Sequence, residues 1–296
     1  MFDNFRIFGL EREGVRLHAR VGGSGPALLL LHGHPQTQAM WHRVVAPLAQ
    51  KFTVVLMDLR GYGDSGRPPA GDPAGDAEPY SKRNMALDAM AVMQAAGFAQ
   101  FDVLAHDRGA RVAHRLAADH PQAVGRMMLL DIAPTLAMFE ATTLEFASAY
   151  WHWFFLSQPS DLAATMIDAN PLAYLRTAMG SRYAGLAAFA PEAMAHYERC
   201  MQIAGTGMSI CGDYRASRTI DLAHDRADVA AGLRITQPLH VLWGDQGIVG
   251  KCFDPLALWR ERAQHVTGHG VPCGHYIAEE RPDLVLAQAL AFFDKK

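Results

Sequence analysis

The stretch Val103-Leu104-Ala105-His106-Asp107-Arg108-Gly109-Ala110-Arg111 decides the fold of this chain. Apolar residues lead into it as a buried strand, and residues 112–117 after it have the apolar spacing of a helix. A sharp turn between a strand and a helix can hold a nucleophile at its apex, where Asp107 stands. A carboxylate there can attack a saturated carbon and form an ester that water later cleaves. The alternative is that Asp107 only caps the helix.

Composition indicates a globular enzyme that acts on small molecules. The 296 residues are half hydrophobic, and 27 Lys and Arg stand against 30 Asp and Glu without a run of like charges. We therefore expect no nucleic-acid partner, and no apolar run is long enough to cross a membrane. The amino terminus lacks the pattern of a signal peptide, so we expect a reduced, cytoplasmic protein. Its four cysteines show no Cys-x-x-Cys spacing: Cys200, Cys211, Cys252 and Cys273.

The pattern of apolar runs predicts an α/β fold with a mostly parallel sheet. Residues 6–10 and 15–21 flank a turn and predict an opening antiparallel hairpin. Runs that are apolar throughout are typical of central strands covered on both faces. Such runs alternate with helical segments, one of which begins near Ser81, and this alternation predicts βαβ units. Besides the strand that follows Phe101 and leads into Asp107, further strands are predicted at 27–31, 52–57, 126–132, 239–244 and, more weakly, 265–267.

The pattern changes after Pro134, where roughly ninety residues carry helical spacing and no convincing buried strand. We predict a helical cap at 137–226, inserted into a core domain formed by 1–136 and 227–296. The Gly-, Pro- and Ala-rich stretch at 67–79 predicts a long surface loop.

A second motif, Leu31-His32-Gly33-His34-Pro35, follows a predicted central strand. Ligands of open α/β sheets bind at the carboxyl ends of such strands. In enzymes with a nucleophile at a strand–helix turn, an amide from this loop and the amide after the nucleophile face one developing negative oxygen. The candidates are the N–H groups of His34 and Arg108; the alternative is a simple turn.

An ester on Asp107 needs a base that activates water. His275 follows the last predicted strand, where the chain order of nucleophile, acid and histidine puts the base. Two acids are candidates for orienting it, Asp131 and Asp245. We prefer Asp131, because the usual Trp-Gly-x-x-Asp spacing of the alternative has Gly247 in its last position.

These motifs together resemble the haloacetate dehalogenases, in particular the fluoroacetate dehalogenases, of the α/β-hydrolase superfamily. The resemblance runs nearly end to end, and Ala105 is a departure, because Gly is common there. It implies the α/β-hydrolase fold, with an eight-stranded, mostly parallel sheet and an inserted helical cap. The carriers are His32-Gly33-His34-Pro35-Gln36-Thr37, Met40-Trp41-His42, Asp58-Leu59-Arg60-Gly61-Tyr62-Gly63-Asp64-Ser65, His106-Asp107-Arg108-Gly109-Ala110-Arg111, Asp131-Ile132-Ala133-Pro134-Thr135, His152-Trp153-Phe154-Phe155 and Asp213-Tyr214-Arg215-Ala216.

The resemblance also implies roles for individual side chains. Arg108 and Arg111 are expected to bind the substrate carboxylate, and two cations at a helix start are poorly placed unless an anion joins them. The alternative is a solvated helix start. The halide is expected against His152, Trp153 and Tyr214, whose alternative role is to pack the cap on the core.

We therefore expect hydrolysis of fluoroacetate, chloroacetate and bromoacetate to glycolate and halide. The expected catalytic residues are Asp107, His275 and Asp131, without a metal or an organic cofactor, in a homodimer. One alternative is an epoxide hydrolase, which shares the Asp nucleophile but needs cap tyrosines as acids. Another is a non-catalytic carboxylate-binding protein on the same scaffold.

Overall fold

The sheet of this protein has eight strands, in the order β1-β2-β4-β3-β5-β6-β7-β8. The computed structural model describes residues 1–75 and 77–294. The pairs β1–β2 and β2–β4 are antiparallel, and every other pair is parallel. The strands are β1 Arg6–Arg12, β2 Val15–Gly23, β3 Ala27–Leu31, β4 Thr53–Met57, β5 Phe101–His106, β6 Val124–Leu130, β7 Leu239–Gly244 and β8 Val266–Val271.

The predicted sheet is confirmed, including the opening hairpin. Every residue of β3 is buried, as its apolar run predicts for a strand covered on both faces. The register pairs Leu31 with Ala105 of β5, and Ala105 with Leu129 of β6. The methyl group of Ala105 is thus accommodated in the sheet, directly before the Asp107 turn. The observed bounds of β1, β2, β4 and β6 differ by one or two residues from the predicted ones, and β8 extends further, beyond the predicted 265–267.

In the described parts of the chain, seven α-helices flank the sheet and eight lie in the cap. No strand interrupts residues 131–238, all of which are described. We call the helices from Thr135 to Ala230 the cap. The predicted cap, 137–226, lies within this range. The flanking helices are α1 Val45–Leu48, α2 Lys82–Ala95, α3 Asp107–Asp119, α12 Ile248–Cys252, α13 Pro255–Arg262, α14 Ile277–Glu280 and α15 Pro282–Phe293. Those of the cap are α4 Thr135–Glu140, α5 Leu144–Ala149, α6 Trp151–Leu156, α7 Leu162–Ala169, α8 Pro171–Gly180, α9 Pro191–Met201, α10 Thr206–Arg218 and α11 Ile220–Ala230.

The predicted helix start near Ser81 is also observed, because the Ser81 hydroxyl caps α2 by accepting from the Asn84 amide. The predicted loop at 67–79 contains a short 3-10 turn at its end, Glu78–Tyr80, and its residue 76 lies outside the described residues. Among the described helices, none is long and apolar enough to span a membrane.

A buried carboxylate joins the cap to the core. Glu279, in α14, accepts hydrogen bonds from Tyr197 of α9 at 2.6 Å and from Gln36 at 3.3 Å. Its other oxygen, Oε2, is buried without a hydrogen-bond partner. Burial raises the pKa of Glu279 to about 7, against the lowering effects of the Tyr197 bond and of Arg43. The protonated form is therefore the one that this junction favours.

Candidate active site

Asp107 stands at the apex of the turn between β5 and α3. Its backbone φ is +46°, a conformation that costs a residue with a side chain some strain and that recurs at functional sites. Gly33 lies against it, and a Cβ on Gly33 would come within 2.5 Å of the Asp107 Cβ. The glycine of the second motif therefore lets the two loops approach closely.

The Asp107 carboxylate is buried, and it is held in its ionised form. The His34 amide donates to its Oδ1 at 2.9 Å. Burial alone would raise the pKa of Asp107, but His275, His106 and two arginines lower it below its usual range. One carboxylate oxygen of Asp107 thus lies beside the His34 amide, which is one of the two predicted donors to a negative oxygen.

His275 and Asp131 form a close pair, as the sequence predicts. The His275 Nδ1 lies 2.5 Å from the Asp131 Oδ2, and the Gly244 amide donates to the Asp131 Oδ1 at 2.9 Å. Asp131 also has a positive φ, +50°, directly after β6. The competing acid, Asp245, is exposed. With Nδ1 engaged, the Nε2 of His275 is the nitrogen left for water.

His106 ties the nucleophile turn to the base. Its Nε2 lies 2.9 Å from the backbone oxygen of His275, and the two imidazole centroids are 4.7 Å apart. Burial and the charge of His275 lower the pKa of His106 to about 4. The neutral ring therefore serves as a donor that fixes His275.

The two predicted carboxylate-binding arginines have different surroundings. Arg108 is already ion-paired: its Nε donates to the Asp213 Oδ2 at 2.9 Å, and its Nη2 lies 2.5 Å from Oδ1. Ser217 accepts from the same nitrogen, and Lys82 shares the Asp213 carboxylate. Burial alone would lower the pKa of Arg108, but the charge of Asp213 raises it above its usual value. Only its Nη1 is buried without a partner.

Arg111, in contrast, has no carboxylate within ion-pair distance among residues 1–75 and 77–294. Its Nη1 donates to the Thr135 hydroxyl at 2.7 Å and to the Ala133 oxygen at 3.3 Å, and its Nε is buried without a partner. Its guanidinium carbon lies 4.7 Å from the Trp153 ring centroid. Burial, and then Arg108, lower the pKa of Arg111 to about 10. An uncompensated buried cation of this kind is stabilised by an arriving anion.

A small cavity covers Asp107, with about 20 Å³ open to the centres of water-sized molecules. Of the residues predicted for the site, it is lined by Asp107, His275, His34, His152 and Tyr214. Burial lowers the pKa of His34 to about 3 and that of His152 well below its usual value, so both rings are neutral.

Trp153 lies beside the cavity residue His152 in the chain, but it does not itself line this cavity. Its indole Nε1 is buried without a hydrogen-bond partner, and its ring packs on Phe139 at 5.0 Å between centroids. A buried donor without a partner is unusual, because it has lost water without gaining another acceptor.

Sequence reasoning missed several residues of the cavity wall, among them Tyr150, Arg182 and Tyr276. Tyr276 directly follows His275, so its place was open to inference. Tyr150 and Arg182 lie at the ends of short cap helices, in stretches without a recognisable motif.

Within residues 1–75 and 77–294, two groups of side chains carry atoms suited to a metal ion, and neither includes a residue of this cavity. One consists of Asp64, His196 and Cys200, but Arg199 binds both oxygens of Asp64 at 2.9 and 2.8 Å. The other consists of His18, Asp58 and Asp64, in which Asp58 already accepts from the Gln38 and Asp64 amides.

The model of the α/β hydrolase fold family matches residues 26–282. The chain belongs to the α/β hydrolase family. A solved structure from Nostoc sp PCC 7120 assigned to the α/β hydrolases is 47% identical, with a TM-score of 0.95 over 100% of both chains.

Two relatives show where in this family the chain lies. A fluoroacetate dehalogenase from Burkholderia sp is 39% identical over 284 residues, which are 96% of this chain and 92% of the relative. A soluble epoxide hydrolase from Corynebacterium sp. (strain C12) is 34% identical over 95% of this chain and 94% of its own length. The resemblance expected from the motifs is thus confirmed, and the chain is a hydrolase that is similar to both a fluoroacetate dehalogenase and an epoxide hydrolase.

Proposed function

We propose that this protein hydrolyses haloacetates to glycolate and halide through an ester on Asp107. The observation that carries the proposal is the buried Arg111, a cation without a carboxylate partner among the described residues, beside the ionised Asp107. A haloacetate brings the carboxylate that Arg111 lacks and a carbon that Asp107 can attack. The relative from Burkholderia supports the same substrate class.

In the first step, the free Asp107 oxygen attacks the substrate α-carbon. A carbon–oxygen bond forms, and the carbon–halogen bond breaks with its electron pair on the halide. Charge growing on the halide needs hydrogen-bond donors. We assign them to His152 and Tyr214, which line the cavity, and to the unpartnered indole N–H of Trp153.

In the second step, water attacks the Asp107 carbonyl carbon and gives a proton to the His275 Nε2. Asp131 orients the imidazole and stabilises its positive form. The oxyanion forms on Oδ1, where the His34 amide already donates, and the Arg108 amide is the proposed second donor. Collapse of this intermediate breaks the ester bond and expels glycolate, whose oxygen takes the proton from His275. The second proton of the water, left on the Asp107 carboxyl group, is released to solvent, and Asp107 returns to its ionised form. The chemistry requires neither a metal nor an organic cofactor.

Epoxide hydrolysis is the second candidate. Two cap tyrosines, Tyr150 and Tyr214, line the cavity and are placed to act as acids on an epoxide oxygen. The relative from Corynebacterium supports this reading. A neutral epoxide, however, leaves the charge of Arg111 without a counterion.

A substrate comparison tests the proposal. We expect the purified protein to release fluoride or chloride from fluoroacetate and chloroacetate with one glycolate per halide, and to be slower on a small epoxide such as styrene oxide. The Asp107→Asn variant is the control for spontaneous release. Turnover of the epoxide alone would overturn the proposal in favour of an epoxide hydrolase. Binding of acetate without turnover of either substrate would indicate a non-catalytic carboxylate-binding protein.

We also propose a cytoplasmic homodimer. Large apolar side chains are exposed on the cap, among them Leu144 at 85% and Leu162 at 62%, and a second copy would cover such surface. Light scattering after size exclusion should give twice the chain mass of 32.4 kDa.

A further inference from the structure

A second cavity, of about 400 Å³, adjoins the one over Asp107. The two cavities share part of their lining, so the second, outer cavity lies directly beside the one over Asp107. The shared lining residues are Ala149, Trp151, Ser181, Arg182 and His275.

Arg182 is the only cation at this junction, among the residues that the structure describes. It follows α8, and its guanidinium carbon lies 4.8 Å from the ring centroid of Tyr150. Its Nε is buried without a hydrogen-bond partner. No carboxylate in the described parts of the chain comes within ion-pair distance of it, unlike Arg108, which has Asp213.

The lining of both cavities favours an anion. Lys251 is a second cation of the outer cavity, whose described lining includes neither Asp nor Glu. The inner cavity has a single acidic side chain, Asp107, which is the nucleophile itself. A cation that faces a cavity without acids attracts anions and raises their local concentration.

An anionic substrate meets a specific difficulty here, because its carboxylate must approach the ionised Asp107 in a site with little water. A cation at the junction offsets this repulsion while the substrate enters. Neutral molecules of the same size gain nothing from that cation. Arg182 is thus placed to separate charged from neutral substrates before the chemical step.

We propose that Arg182 is a specificity-determining residue that binds the carboxylate of the incoming substrate at the junction of the two cavities. This inference rests on the proposed function and extends it, since it makes the entrance, and not only Arg111, selective for anionic substrates. Trp151 and Tyr150 supply the apolar walls beside the guanidinium.

The test compares Arg182→Met, which removes the charge but keeps an unbranched side chain, with Arg182→Lys, which keeps the charge. We expect kcat/KM for chloroacetate to fall about 10- to 100-fold in Arg182→Met, mainly through KM, and to recover largely in Arg182→Lys. We expect kcat/KM of the wild type to fall with added salt, and this salt dependence should be weaker in Arg182→Met. Arg176→Met is the matched control, because Arg176 is an exposed cation of α8 paired with Glu198 at 2.8 Å.

Calorimetric binding of acetate and of neutral acetamide separates this inference from the proposed function. Acetate should bind more weakly to Arg182→Met than to the wild type, and acetamide should bind equally, even if no haloacetate is turned over. Equal losses for acetate and acetamide, or an unchanged salt dependence, would show that Arg182 only packs against Tyr150. The inference would also be overturned if Arg182→Met bound acetate as tightly as the wild type, or if Arg182→Lys failed to restore the acetate binding that Arg182→Met loses.

Discussion

Replacing Trp153 by Phe should slow defluorination more than debromination. The indole Nε1 is buried without a partner, so the substitution breaks no hydrogen bond in the resting protein. It keeps an aromatic ring against Arg111, whose guanidinium carbon lies 4.7 Å from the Trp153 ring centroid, and against Phe139. What the variant lacks is one donor for the departing halide. Fluoride concentrates its charge on a small ion and depends on such donors more than bromide does.

The size of the effect follows from the energy of one hydrogen bond to a charged group, about 1.5–3 kcal/mol. Since about 1.4 kcal/mol corresponds to a factor of ten in rate, kcat/KM for fluoroacetate should fall roughly 10- to 100-fold. Bromide leaves with less help, and kcat/KM for bromoacetate should fall by only about threefold or less.

The assay is kcat/KM for fluoroacetate and bromoacetate in both proteins, with the ratios converted to barrier differences. Trp41→Phe is a matched control, because the indole Nε1 of Trp41 is also buried without a partner, in the core and away from the cavity wall. That variant should change both substrates by the same factor. Equal losses on the two substrates in Trp153→Phe would refute the reasoning and leave Trp153 a packing role.

Three further predictions concern charge. Asp107→Asn should abolish halide release, because an amide is a far weaker nucleophile; turnover by a preparation shown by mass to be undeamidated would contradict this. Arg111→Gln should raise KM for chloroacetate by about tenfold or more. Arg108→Gln removes a counterion of the buried Asp213 and should mainly lower the free energy of unfolding, by about 3 kcal/mol. Kinetics and thermal melts of both variants separate the two effects. Because the pKa of Glu279 is raised from 4.5 to about 7 on folding, its contribution to stability is complete below about pH 4.5 and is lost as the pH rises through 7. Glu279→Gln should therefore exceed the wild type in stability at pH 8, by on the order of 3 kcal/mol, and match it near pH 4.5; melts that show the same difference at both pH values would contradict the assignment.

The sequence predicted those parts of the molecule that depend on local pattern and chain order. Continuously apolar runs gave the central strands, because a strand covered on both faces has no polar side. The residue after such a strand lies at the carboxyl edge of the sheet, which is why Asp107, Asp131 and the loop before His275 could be expected at one edge. The spacing after Trp243 disfavoured Asp245 as the orienting acid, and the structure leaves Asp245 exposed.

What the sequence could not predict depends on contacts between distant parts of the chain. Arg108, Lys82 and Asp213 lie far apart in the sequence and meet only in the folded protein. Their ion pairs could therefore not be predicted, although Asp213 belongs to the motif Asp213-Tyr214-Arg215-Ala216. Arg182 follows a cap helix in a stretch without any motif, and only the cavity shows where its side chain lies. The unequal surroundings of Arg108 and Arg111 likewise follow from packing and not from their spacing.

The central claim is that substrate becomes covalently bound to Asp107 before water releases it. In His275→Asn the attack on chloroacetate should proceed, but hydrolysis should stop for lack of a base. We predict one equivalent of chloride per chain and a rise in intact mass of one carboxymethyl group, located by peptide mapping on Asp107. An unmodified chain, from a His275→Asn protein that still releases chloride over many turnovers, would contradict the account.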